Sequence, residues 1–191
     1  EVLRGPQGTL YGKNTLGGAI NIITRPPSDT FEGKVFASYS EGNETQEYGA
    51  RLSGPLGDSV RAKLAVASRD SDGFFTNKLI GGAIDASDSD QANLTVVWDV
   101  NQDVKLTVNG YYLDFTGGTT NYNHVNGPTD YRDNMRMNVN GETAFTYKGG
   151  NVKLELPLAG LNTRFTAIGA YDSRDQSSVT DGDFLSLDVV R

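Results

Sequence analysis

From about residue 31 onward, apolar and polar residues take turns along the chain. Val35, Ala37 and Tyr39 alternate with Lys34, Ser38 and Ser40, with Phe36 out of step. Tyr48, Ala50 and Leu52 then alternate with Glu47, Gly49, Arg51 and Ser53, and Val60, Ala62, Leu64 and Val66 with Arg61, Lys63, Ala65, Ala67 and Arg69. A basic residue at every second position has the period of a strand with one wet face, not of a helix. Leu94, Val96, Trp98 and Val100 make a fourth run, and Val104, Leu106, Val108, Gly110 and Tyr112 a fifth; the short turn Asn101-Gln102-Asp103 between them predicts a hairpin. Ala144 to Tyr147 starts a return, Val152, Leu154, Leu156 and Leu158 form a sixth run ending in Pro157 and the turn Ala159-Gly160, and Phe165, Ala167, Gly169 and Tyr171 a seventh. An eighth stops at Arg191. The pattern predicts an all-β antiparallel meander.

The connections alternate in length. Those near 55–59, 101–103 and 159–160 are short, and those expected at 70–90, 116–143 and 172–183 are long and rich in Asp, Ser and Gly; only 41–45 is short on the long side. Outer-membrane barrels have short periplasmic turns and long outer loops. On the apolar face, Tyr39, Tyr48, Tyr112 and Tyr171 fall at the long-loop ends of their runs, and Trp98 lies two residues from a short turn. Such rings are selected at both interfaces of a membrane, although each is also an ordinary strand residue.

The first twenty-seven residues are different material. Two β-type runs, Val2-Leu3 and Ala19 to Thr24, flank a connector holding Gly5, Pro6, Gly8, Gly12, Gly17 and Gly18, which predicts tight turns and no helix. GTLYGK has the outline of a P-loop, but three residues separate its glycines and Asn14 follows Lys13, so it fails the motif. Instead, LRGPQGTLYGKNTLGGAINIITRPP resembles the closing segment of the plug domain of TonB-dependent outer-membrane receptors, carried by Arg4-Gly5-Pro6, Gly8, Tyr11-Gly12, Gly17-Gly18 and the apolar run to Thr24.

The resemblance implies a plug segment at 1–27, the start of a transmembrane β-barrel at 28–191, and a complete barrel of roughly 22 strands, of which this chain supplies seven and part of an eighth. It also implies an outer-membrane transporter: a scarce bulky solute, a ferric siderophore by default, is admitted when the TonB energy-transducing protein remodels the plug. With Glu1 first and Val189-Val190 close to the last residue, both ends look cut, and the TonB-contacting segment is expected upstream.

Composition narrows the alternatives. The chain has no Cys, which excludes disulfides and thiolate metal sites, and its one histidine, His124, reads as a solvated loop residue. The 24 acidic and 17 basic residues, net charge -7, argue against a nucleic-acid partner. No apolar run is long enough for a transmembrane helix, but spanning strands need only about ten alternating residues each. No enzyme, cofactor or metal site is expected; Asp70-Ser71-Asp72-Gly73 has part of a Ca²⁺-loop outline, but Leu79 stands where such a loop needs its Glu.

If the apolar face meets lipid, the other face meets the lumen with Arg51, Arg61, Lys63, Arg69, Lys105, Lys153, Glu155 and Arg164. This cation-rich wall could guide an anionic solute or pair with plug and water. On the plug side Arg4 and Arg25 are the charges expected to hold the plug. The rival readings are a soluble β-rich binding or adhesion module, a small closed eight-stranded barrel and a β-rich hydrolase.

Overall fold

A computed structural model describes residues 2–6, 8, 17–20, 22–119, 135–158 and 160–182. Strands β1 (Val2–Arg4) and β2 (Gly18–Ile20) form a two-stranded antiparallel sheet, with Val2 opposite Ile20 and Arg4 opposite Gly18. The other strands form one antiparallel sheet in sequence order: β3 (Glu32–Ser40), β4 (Thr45–Pro55), β5 (Val60–Ser71), β6 (Ser87–Asp99), β7 (Lys105–Gly118), β8 (Glu142–Leu158) and β9 (Thr163–Val179). The seven full runs read from the alternation are these seven strands. The residues of the eighth, and Tyr11, Gly12 and His124, lie outside the described residues.

Several boundaries differ from expectation. Gly8 has helical backbone, two residues after Pro6, a residue type suited to a helix's first turn, although the connector was expected to hold no helix. The second apolar run of the N-terminal stretch pairs only through Ile20; Ile22 and Ile23 lie outside the ladder and are exposed. Residues 172–179 are strand, not loop, because β8 begins at Glu142 and supplies partners as far as Val179. For the same reason Ala144 to Tyr147 and Val152 to Leu158 are one 17-residue strand, with Pro157 one residue from its end. The asymmetry of connections survives: 56–59 and 100–104 are short turns, whereas 72–86 and 119–141 are long.

No second layer covers this sheet among the described residues. Among the described residues the only buried hydrophobic side chains are Ile84, Val97, Met135 and Met137, while Val35, Leu52, Leu64, Val66, Leu94, Val108 and Val152 stand exposed on one sheet face. A soluble antiparallel sheet buries its apolar face against a core; this one leaves it open.

Three of those four buried side chains lie in the long loops, which were expected to be solvated. Ile84, Met135 and Met137 pack together with Phe75. Asn77, 1% exposed, ties the two loops: its Nδ2 donates to the Met137 carbonyl at 2.8 Å and to Asn140 Oδ1 at 2.7 Å, while its Oδ1 accepts from the N–H groups of Leu79 and Met137. Asn140 in turn donates to the Gly81 carbonyl. One buried amide satisfying this many groups is costly to remove, because its partners stay buried. Asn77→Ala is expected to cost the loop pair about 1–3 kcal/mol. Hydrogen exchange in the full-length protein should then speed up at Leu79 and Met137 and stay unchanged at mid-strand amides.

Candidate functional site

Cross-strand register assigns each side chain to one of two faces. Arg51, Arg61, Lys63, Arg69, Lys105, Lys153, Glu155 and Arg164 all share the face opposite the apolar one, as their parity requires. Phe36, out of step in the sequence, is on this charged face, where it lies over Gly49 of β4, whose missing side chain leaves room for the ring. The wall is also less cationic than its basic residues suggest. Glu47 faces Arg69, Glu155 lies 3.2 Å from Lys153 and 4.0 Å from Arg164, and Asp99 lies 3.6 Å from Lys105.

The segment between β2 and β3 is fastened to this face. Arg61 forks, with one amino group 2.6 Å from Asp29 of the segment and the other 2.5 Å from Asp99 at the end of β6. Lys63 Nζ donates to the Arg25 carbonyl and, at 3.4 Å, to Thr24 Oγ1. The Ser28 N–H donates to Ser53 Oγ at 2.8 Å, and Ser53 and Pro27 are buried there. The wall therefore supplies the cations and the segment a carboxylate and a carbonyl. Arg25 contributes its backbone, and Asp29 and Asp99 had no distinguishing signal in the sequence.

Of the other motif residues, Arg4 ends β1, Gly17 is in a bend, and Gly5 and Gly18 have φ of 81° and 134°. That left-handed backbone is what glycine supplies without strain. At Gly18 a Cβ would also collide with the Leu3 carbonyl across the pair.

Towards the long loops, the charged face carries stacked rings. Tyr111 and Tyr147 lie 5.2 Å apart, Phe115 and Phe145 5.0 Å apart, and the Arg174 guanidinium sits 4.8 Å from the Phe145 centroid. Tyr147 also donates to Asp172 at 3.3 Å. Sequence reading missed this cluster because its members alternate with polar residues at the wet parity.

The tyrosines of the apolar face step regularly along the register. Tyr39 is opposite Gln46, so Tyr48 lies two residues nearer the short turns; the row of Tyr48 runs through Ser68 and Asp90 to Asp114, putting Tyr112 two residues nearer again. The row of Tyr112 continues to Lys148 and Ser173, and Tyr171 is two residues further in. Tyr39, Tyr112 and Tyr171 fall on one line, with Tyr48 one residue off it; six residues of offset across the six intervals from β3 to β9, at about 3.3 Å per residue and 4.8 Å per strand, incline that line about 35° to the strand normal. That is the strand tilt of a closed membrane barrel.

Just beyond this line, Asp88 pairs in register with Asp70. A hydrogen bond with Asp70, burial, and the charges of Asp70, Asp90 and Asp72 raise its carboxyl above the ordinary 3.8. The folded form thus holds this proton more tightly than the unfolded chain. The resulting stabilisation is full below 3.8 and is lost as pH rises through the raised value. Asp88→Asn keeps a hydrogen-bonding side chain without the charge; it is expected to raise unfolding resistance at neutral pH and to flatten its pH dependence, read from thermal melts of the receptor across that window.

No family model matches the chain. It is 28% identical over 152 residues to the vitamin B12 transporter BtuB of Photobacterium profundum, covering 76% of this chain and 24% of that protein. It is 45% identical over 60 residues to the pesticin receptor of Yersinia enterocolitica (31% of this chain, 9% of that protein), and 33% identical over 92 residues to the ferric enterobactin receptor PirA of Pseudomonas aeruginosa (46% and 12%). The chain thus spans a quarter or less of these relatives. Among solved structures, FpvAI in its complex with pyocin S2 superposes over 93% of this chain and 27% of its own with a TM-score of 0.58 at 19% identity. The sheet is a portion of an outer-membrane β-barrel. The relatives it matches are TonB-dependent outer-membrane receptors, and the chain matches a fragment of such a receptor.

The fork at Arg61 generates a prediction. Arg61 is 23% exposed and Asp29 83%, so the Asp29 contact alone is expected to contribute about 1 kcal/mol or less. This chain has no Cys, so with any cysteine elsewhere in the protein replaced, a spin label on Thr30→Cys reports the segment selectively. Arg61→Gln is expected to increase label mobility more than Asp29→Asn does, since it removes both arms of the fork, while the barrel keeps its heat-modifiable migration.

Proposed function

We propose that the receptor carrying this chain is an active transporter of the outer membrane, binding a scarce, bulky solute at its outer loops and plug and admitting it when TonB remodels the plug. The observation that carries the membrane part is the oblique row of Tyr39, Tyr48, Tyr112 and Tyr171 at barrel tilt: rings on four strands fall within about one residue of one plane, as a membrane interface demands. Trp98 marks the opposite interface, and the charged face is the lumen wall. Residues 1–27 are the closing part of the plug and 28–191 the first part of the barrel. The latch at Arg61 and Lys63 then lies where the plug chain enters the barrel wall.

A ferric siderophore is the default solute. The support is that one relative is named a ferric enterobactin receptor and another, in Vibrio cholerae, an iron-regulated outer membrane virulence protein. The stacked rings beneath the long loops, with Arg174 among them, suit an anionic solute bearing flat groups. A corrinoid is the second reading, favoured by the 152-residue alignment with a vitamin B12 transporter.

The receptor is expected in the outer-membrane fraction, with migration on a gel that changes on heating. Purified in detergent, it is expected to bind a ferric siderophore and to show a weaker response to cobalamin. Recovery as a soluble protein would sink the transporter reading; cobalamin binding with no response to any ferric chelate would replace the solute.

A further inference from the structure

On the charged face of the sheet, nearly every basic residue has an oxygen or a ring to meet. Arg61 and Lys63 hold the segment at 24–29, Arg69 faces Glu47, Lys105 lies by Asp99, Lys153 and Arg164 share Glu155, and Arg174 sits on Phe145. Lys34 and Arg51 are the exception. They are direct cross-strand partners on β3 and β4, both exposed, and among the described residues no carboxylate lies within ion-pair distance of either. The acid diagonal to Arg51 is Glu32, which accepts from the Ser28 hydroxyl at 2.9 Å. Like charges directly opposite each other on a sheet cost stability unless something neutralises them.

Next to this pair, β5 presents only Ala65 and Ala67, so a recess of about 280 Å³ opens beside the two cations. Asn93 and Gln91 of β6 stand on its far side, in register with the two alanines, and Phe36 bounds it towards the long loops. Ala50 and Val66 also border the recess; their side chains are on the apolar face, so they do so with backbone. The floor is small and uncharged, while both sides carry hydrogen-bond donors: ammonium and guanidinium on one, amide NH2 groups on the other. An oxyanion placed here would gain charge-assisted bonds from Lys34 and Arg51 and neutral ones from the amides. Position adds to the case. Asn93 is the cross-strand partner of Tyr111, so the recess adjoins the stacked rings, and the row below it is taken by the segment, through Ser53 and Lys63.

We infer that this recess is an oxyanion subsite on the solute's route, taking a carboxylate or phosphate-type group between Lys34 and Arg51 on one side and Asn93 and Gln91 on the other. It rests on the proposed passage of an anionic solute and gives that solute a second stop below the rings. The rings suit the flat part of such a molecule and the recess suits its charge. A passing anion is thereby held one row from the fastening at Lys63, rather than up among the outer loops. A carboxylate of the protein itself would fill the recess permanently and shut out a diffusing anion, which makes the two occupants separable.

The test uses the full-length receptor in detergent at constant ionic strength, with inorganic phosphate as the probe and the width of its phosphorus NMR line as the readout. Wild type is expected to broaden the line saturably. Lys34→Gln with Arg51→Gln is expected to weaken the apparent affinity about five- to tenfold, as the loss of two exposed charge contacts would. Lys105→Gln removes a cation of the same wall that already has Asp99, and is expected to leave the affinity unchanged. Ala65→Glu supplies a carboxylate to the recess and is expected to abolish the saturable response with both cations in place; it decides the matter if the double variant does not assemble. No response in wild type, the result of a permanently filled recess, overturns the proposal, as does a response that survives the double variant and Ala65→Glu. A carboxylate-bearing ferric chelate is expected to displace the phosphate and a neutral one is not; displacement by neither overturns the subsite's place on the route. Loss of heat-modifiable migration in wild type would instead overturn the transporter reading beneath it.

Discussion

The ladder of backbone hydrogen bonds from β3 to β9 carries the structure, because no packed core does. Seven strands pair in sequence order with unbroken register, and the described residues bury almost no side chains between layers. In water such a sheet has little to offset the entropy of ordering it. In hydrocarbon the balance changes: an unpaired N–H or C=O is the dominant penalty, and a ladder that satisfies every one of them is among the few arrangements a bilayer tolerates. The open edges at β3 and β9 are unsatisfied in the same sense, so the sheet demands continuation until it closes. Strand pairing thus sets the tilt, the tilt brings the tyrosines to within about one residue of one plane, and the apolar face is left open.

Once the outer face belongs to lipid, fine adjustment falls to the charged one. Its aromatic rings lie where glycines give them room: Phe36 over Gly49, Tyr111 over Gly149 and Phe115 against Gly117. A glycine in a strand loses packing and costs entropy, and a neighbouring ring restores part of the lost contact. These pairs also thin the wall beside bulky rings, so the lumen side has relief where a plain alternation of residues would give a flat surface.

The fold was legible because its signal is periodic. Strands β5 to β7 announce themselves through Arg61, Lys63, Trp98 and Tyr112 at strict parity, and the face of every charged residue follows from counting. What could not be read depends on the partner strand or on distant loops. Residues 172–179 look like loop because Asp172, Asp175 and their serines are polar on both faces; only the early start of β8 makes them strand. Asn77 and Met137 are separated by sixty positions, and nothing local marks either as the centre of a small loop core. The fastening of residues 24–29 was legible in kind, as polar contact with a wall whose cations were expected to pair with plug or water; the partners that Arg61 and Lys63 take, the Asp29 carboxylate and the Arg25 carbonyl, carried no signal in the sequence.

This placement of the charges bears on how readily the segment from Thr24 to Asp29 can leave the sheet. A segment that buried its own arginine in the wall would leave a desolvated charge behind when displaced, at a cost of several kcal/mol. Here the cations stay on the rigid sheet, where Arg61 keeps Asp99 when Asp29 leaves, and the departing segment carries an exposed carboxylate and backbone carbonyls that water solvates at once. The fork therefore divides the work: its half-buried arm to Asp99 fixes the arginine in the wall, and its exposed arm holds the chain only as strongly as a hydrated ion pair can. Release at Asp29 leaves the wall intact and ready to be refilled, which a dry apolar contact of the same area would not allow.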